Sequence, residues 1–233
     1  MEKVTVRVKP SFSVAKARNA QLFMAKRVIV EDKLPEEIGL VAGVDVAYTK
    51  SYSIGATAVL DYASLTLIES RTVVQRTYFP YIPTLLSFRE AAPITNSLKK
   101  LTKRPDVILV DGHGLAHPYN CGLACHIGLV LQIPTIGIAK SNLTGNIVKE
   151  ESDMKDGLII NRKNEIIGVS VITKKGSKPI YVSVGHKVSL QTAVRIVKQC
   201  IRDKRVVEPI LRAHEAANIM KRNININSLH KKR

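Results

Sequence analysis

Apolar and polar positions along the chain follow two periods, and the change from one to the other predicts the elements. Residues 12–29 carry apolar side chains at helical spacing, among them Val14, Ala17, Leu22, Ala25 and Val28. "GLVAGVDVAY" (39–48) then reads as a strand, followed by strands in "IGATAVLDY" (54–62) and "ASLTLIESRTVV" (63–74). Their short polar connections predict an antiparallel meander. The proline-rich loop "YFPYIP" (78–83) leads into a helical pattern from Leu85 to about Leu101, which Pro93 is expected to break.

Further along, "PDVILVDG" (105–112) and "IPTIGIAKS" (133–141) are short, continuously apolar strands on either side of a helical "YNCGLACHIGLVLQ" (119–132). That order predicts a βαβ unit with a parallel pair covered on both faces. "EIIGVSVIT" (165–173) and "PIYVSVGH" (179–186) predict a hairpin across "KKGSK", and helices are expected over 189–203 and 208–222. No repeat or Pro/Gly/Ser-rich linker divides the 233 residues, so one domain is expected, with a core over about 38–220 and a basic tail, 221–233, acting as a mobile arm. Three antiparallel strands followed by parallel strands alternating with helices is the order of an α/β, ribonuclease H-like fold, a central mixed sheet flanked by helices, although many α/β folds could host this coarse pattern.

Composition narrows the class. No apolar run approaches the roughly 18 uncharged residues of a membrane span, and the start "MEKVTVRVKP" does not read as a secretory signal. Three cysteines, Cys121, Cys125 and Cys200, are too few and odd in number for a disulfide framework, which points to a reducing, cytoplasmic setting. Thirty-six Lys and Arg against nineteen Asp and Glu give a formal charge of +17. A polyanion partner, nucleic acid foremost, is the expectation, because each phosphate contact releases counterions.

Against that basic background, two aspartates stand out. Asp45 in "VAGVDVAY" and Asp111 in "VILVDGHG" each lie in or at the end of an otherwise apolar strand. An isolated buried carboxylate is costly to desolvate. If the two strands are neighbours, the acids converge and need a cation between them. Hard divalent ions such as Mg²⁺ prefer oxygen ligands. Glu90, on the helix after the proline-rich loop, offers a third carboxylate. His214 lies on a late amphipathic helix, and Lys140 ends the second parallel strand, where open α/β sheets tend to bind ligands. A competing zinc reading rests on His113, His117, Cys121, Cys125 and His126, although Cys121 and Cys125 also fit a core stripe with Leu129.

Six stretches, in this order, carry a resemblance: "AGVDVAY", "YIPTLLSFRE", "DGHGLAHP", "IPTIGIAKS", "VSVGHKVSL" and "PILRAHEAAN". Together they resemble the endonuclease V family, the deoxyinosine 3′-endonucleases. The resemblance implies a ribonuclease H-like repair enzyme that cleaves DNA on the 3′ side of a deaminated adenine (inosine), using Mg²⁺ or Mn²⁺. It further implies that Asp45, Glu90 and Asp111 hold the metal, that His214 is the catalytic histidine and that Lys140 contacts phosphate. By the same resemblance Tyr81, flanked by Pro80 and Ile82 and followed by Leu86, is the wedge filling the gap left by an extruded base. Gly112, Gly114, Gly137 and His117 wall the base pocket. A monomer with no membrane association is expected. One departure is visible: a basic residue is expected after "AHP", and Tyr119-Asn120 stands there.

Two rival readings remain open at this level. One is the same fold acting on inosine in RNA. The other is a non-catalytic nucleic-acid binding module, which would have no need for acidic groups facing phosphates.

Overall fold

The computed structural model describes residues 13–148, 157–161 and 163–230, the side chains of 225–230 excepted. One nine-stranded mixed sheet organises them, in the order β3-β2-β1-β4-β5-β9-β8-β7-β6. The expected meander is present: β1 (Leu40–Tyr48), β2 (Tyr52–Asp61) and β3 (Leu67–Arg76) pair antiparallel. β4 (Val107–Asp111) lies parallel to β1, and β5 (Thr135–Ala139) parallel to β4, with α3 (Leu123–Leu131) as the crossover. β8 (Ile166–Val171) and β9 (Ile180–His186) form the expected antiparallel pair. β6 (Asn146–Val148) and β7 (Gly157–Ile160) extend the far edge, and the sequence pattern had not revealed them. Runs of three and four residues are too short to show an alternation.

Helices cover both faces. Side chains alternate across a strand, so Val41, Leu109, Ile136 and Ile138 face one way. There they pack with Ala193 and Ile196 of α4 (Leu190–Gln199) and with Ile210 and Ala213 of α5 (Glu208–His230). Ala42, Val44, Ile108 and Val110 face the other way, against Ala91, Ile94 and Leu98 of α2 (Leu86–Leu98) and Leu123 and Ile127 of α3. α1 (Val14–Ala25) stands outside this sandwich.

Two expectations need correction. Pro93 does not break α2 but lies inside it. A Cβ on Gly55 of β2 would come within 2.1 Å of the Pro93 carbonyl oxygen, so helix and strand backbones touch there. That packing holds the helix through a residue that removes one of its hydrogen bonds. The supposed mobile arm is also helical as far as His230. Met220 and Ile224 join Ala217 of α5 in packing on Ala47, Ile54 and Ala56 of the sheet, which seats the helix as far as Ile224. Residues 231–233 lie outside the described ones, as does the "MEKVTVRVKP" start.

Candidate active site

The site grows from the two central parallel strands. Val44 pairs with Val110, so the residues that follow, Asp45 and Asp111, stand side by side where β4 ends. Asp45 shares its face with Val41 and Gly43, Asp111 with Leu109, and Lys140 with Ile136 and Ile138. All three side chains therefore rise on the α5 face. Lys140 Nζ lies 2.5 Å from Asp111 Oδ2.

α5 can reach this point because β1 carries Gly43. A Cβ there would fall 2.0 Å from the backbone carbonyl of Pro209, at the first turn of α5. One turn later, His214 Nδ1 lies 2.7 Å from Asp45 Oδ2. Asn218, a further turn on, places its Nδ2 2.9 Å from His214 Nε2. The side chains of Asp45 and Asp111 are 14% and 16% exposed, those of His214 and Lys140 53% and 47%. The acids form a floor, and Lys140 and His214 a rim.

Glu90 arrives from the opposite side of the sheet. α2 carries it, and the Tyr48 hydroxyl donates to its Oε1 at 2.9 Å. The Arg89 guanidinium stacks on the Tyr48 ring at 4.4 Å, and its Nη1 donates to the Phe79 carbonyl at 2.6 Å. Burial pushes the Glu90 carboxyl up to about 8, against the Tyr48 hydrogen bond, and the charges of Asp45 and Asp111 push the same way. Burial likewise raises Asp111, with Lys140 opposing and Asp45 adding to the rise. Asp45 and Asp111 both act on Glu90, and Asp45 acts on Asp111, so the three acids share one electrostatic site.

Beside this floor lies a cavity of about 250 Å³, lined among others by Gln21, Tyr81, Thr84, Leu86, His113 and His117. It is smaller than the roughly 300–1,000 Å³ of drug-sized ligand pockets, a scale that suits one flat ring system. Tyr81 is 69% exposed at its rim. Gly122 also lines it, whereas Gly112, Gly114, Gly137, Pro80 and Ile82 do not. Gly114 and Gly137 instead lie back to back, a Cβ on Gly137 falling 2.3 Å from the Gly114 nitrogen. They let the strand-end loop pack behind the cavity wall.

Three of the five histidines and cysteines of 113–126 meet separate backbone carbonyls. His113 Nε2 meets the Ser141 carbonyl at 3.0 Å, His117 Nε2 meets the Thr84 carbonyl at 3.0 Å, and Cys125 Sγ lies 3.7 Å from the Val184 carbonyl. Among the described residues no group of three or more His, Cys, Asp or Glu side chains is arranged to hold a metal ion. In the acidic site, Lys140, His214 and Tyr48 engage the three carboxylates one by one.

The sequence profile of Endonuclease V matches residues 23–215. An endonuclease V from Thermofilum pendens is 43% identical over 209 residues, 89% of this chain and 89% of the relative. The chain belongs to the endonuclease V family. Two solved members of it bear out the α/β fold. That from Streptomyces avermitilis superposes with a TM-score of 0.84 at 32% identity, covering 95% of this chain and all of the other. That from Ciona intestinalis, solved with a 24mer DNA containing an inosine followed by a ribo-adenosine, gives 0.82 at 31%, covering 91% of this chain and 98% of the other.

As an endonuclease V the chain is a phosphodiester hydrolase, and its sequence-level candidates divide cleanly in space. Asp45, Glu90, Asp111, Lys140 and His214 gather at one end of β1, β4 and β5; Tyr81, Leu86 and His117 line the adjoining cavity. Sequence reasoning missed Tyr48, Arg89, Asn218 and Gln21, the side chains that hold those residues in place. Asn218 had a signal, since it follows His214 by one helical turn. Tyr48 had one as well: it shares the face of Val44 and Val46, opposite to Asp45. The position left without its expected basic residue receives one from elsewhere, because Arg18 of α1 lies over the Tyr119 ring at 5.4 Å.

Proposed function

We propose that the chain cleaves inosine-containing DNA on the 3′ side of the lesion, with Mg²⁺ held by Asp45, Asp111 and Glu90. The observation that supports this most is the gathering of three carboxylates, one lysine and one histidine next to a ring-sized cavity rimmed by an exposed tyrosine. The donors are all carboxylate oxygens, the chemistry that Mg²⁺ or Mn²⁺ prefers, and their mutual repulsion favours a divalent cation. When bound, such an ion would orient a water in line and offset charge on the departing oxygen.

The chain's own residues do the rest. Lys140, on the rim, is placed to meet a phosphate oxygen as a point charge. His214, with Nδ1 on Asp45 and Nε2 beside Asn218, is held to accept or give a proton at the scissile group. Tyr81 stacks where the extruded base stood, and the cavity takes that base. Unstacking costs a few kcal/mol and least for a mispaired base, which favours lesions before any hydrogen bond is made.

A second reading, inosine in RNA, gains support from the Ciona intestinalis relative, whose DNA carries a ribo-adenosine after the inosine. Both are tested by incubating the protein with matched strands of inosine DNA, inosine RNA and unmodified DNA, with and without Mg²⁺. Cleavage of inosine DNA that needs Mg²⁺ is expected. Asp45→Ala and Asp111→Asn should each lower turnover by at least about a hundredfold, the scale of losing one transition-state contact, at an unchanged fold. Near-normal turnover in either variant would overturn the site, and cleavage of the RNA alone would replace the first reading by the second.

A further inference from the structure

α1 is seated in an unusual way. Of its twelve residues only Ala17 and Gln21 are buried, so the helix docks through an amide and not through an apolar stripe. Gln21 is fully buried, and its Nε2 donates to two carbonyls: Thr84 at 2.8 Å and Cys121 at 3.0 Å. Those carbonyls belong to the two walls of the cavity, the loop after Tyr81 and the segment after His117. Gln21 lies outside the stretch 23–215 that matches the family profile.

The residue it holds is strained. Thr84 has φ +71°, a left-handed conformation that a β-branched residue rarely adopts. Its carbonyl receives a second donor, His117 Nε2 at 3.0 Å, while His117 Nδ1 accepts from the Tyr119 N–H at 3.2 Å. Three buried polar atoms around the same cavity have no protein partner: Gln21 Oε1, Thr84 Oγ1 and Ser87 Oγ. Buried polar groups are ordinarily satisfied, so a wall carrying three orphans is built around something that it is meant to receive.

We infer that Gln21 is a positioning residue for base recognition: with His117 it holds Thr84 left-handed and ties the two walls together, so that the pocket exists before the base arrives. This rests on reading the cavity as the pocket for the extruded base. Without the latch, Thr84 relaxes towards negative φ, the loop bearing Tyr81 turns with it, and binding must re-form the pocket. The cost falls on binding of the lesion and not on the chemical step.

The experiment compares wild type, Gln21→Met, Thr84→Gly and the double variant, on inosine and unmodified strands with Mg²⁺. Methionine keeps the volume and removes both donors. Gln21→Met should raise KM for the inosine strand about tenfold, the scale of one or two buried hydrogen bonds, with kcat nearly unchanged. Affinity for unmodified DNA should stay as it is. In the double variant KM should return most of the way, because glycine takes the left-handed conformation without support. Gln21→Asn, whose amide is one methylene short of both carbonyls, should behave as Gln21→Met does, and it serves if methionine impairs folding in a thermal melt. An unchanged KM, an equal loss on unmodified DNA, or no recovery in the double variant would overturn the inference. A wild type with no preference for inosine would instead overturn the pocket reading itself.

Discussion

At the scale of single residues, the side chains around the site are held by specific hydrogen-bond partners. His117 is the clearest case outside the acidic floor. Its Nε2 faces a carbonyl and must donate, and its Nδ1 accepts a backbone N–H and must be bare, so the ring is neutral. Burial lowers its affinity for a proton to about 4, from 6.5 in the free side chain. The unfolded chain therefore binds this proton first as pH falls. The stabilisation is whole above about 6.5 and lost progressively towards 4. Glu90 has the opposite sign, since its raised folded value makes the native state gain stability as pH drops through about 8. Comparison with His117→Gln, whose amide supplies a donor and an acceptor without titrating, cancels the Glu90 contribution. The melting-temperature difference between wild type and variant should be constant above pH 6.5 and shift against wild type between 6.5 and 4. A difference that stays constant to pH 4 would show that this ring is not held neutral. Asp45 and Asp111 were legible in the sequence because a charge in an apolar strand breaks a pattern. Tyr48 and Gln21 break none, so only the fold shows what they hold.

At the scale of elements, the candidate active site depends on how closely helices lie on the sheet, which two glycines decide. Gly55 admits α2 at Pro93, which brings Glu90 to the strand ends. Gly43 admits α5 at Pro209, which brings His214 onto Asp45. The period of the strands announced that helices would cover them; it could not announce the closeness of approach, which depends on a missing Cβ facing another backbone. Pro93 misled for the same reason, since local propensity yields to tertiary contact. Gly43→Ala should cost about 1–3 kcal/mol, as overpacking does. It should also lower kcat further than the folded fraction explains, because α5 must lift and His214 leaves Asp45. Gly39→Ala is the control: its Cβ would meet only Asp106 Oδ2 at 3.7 Å, an ordinary contact. Thermal melts and turnover of the folded protein decide it, and equal activity per folded molecule in the two variants would refute the link from helix seat to chemistry.

At the scale of the whole molecule, a chain of net charge +17 carries a floor of three acids. The two features oppose each other locally and cooperate globally. The acids repel phosphate unless cations stand among them, while the net excess of Lys and Arg draws the strand in. Phosphates are common to damaged and undamaged DNA, so the basic surface supplies affinity without selecting a lesion. On the function proposed above, selection belongs to the cavity, whose contacts to a base release few counterions. Salt therefore separates the two. The logarithm of Kd should rise linearly with the logarithm of salt concentration, with a slope of about 0.9 per phosphate neutralised on duplex DNA. Six such contacts would weaken binding roughly a thousandfold between 50 and 200 mM. The ratio of affinities for inosine and unmodified strands should stay nearly constant over that range. Equilibrium binding on both strands measures slope and ratio together. A flat slope would remove the electrostatic role of the basic surface. A ratio that collapsed with salt would mean that phosphate contacts, and not the walls held by Gln21 and His117, recognise the lesion.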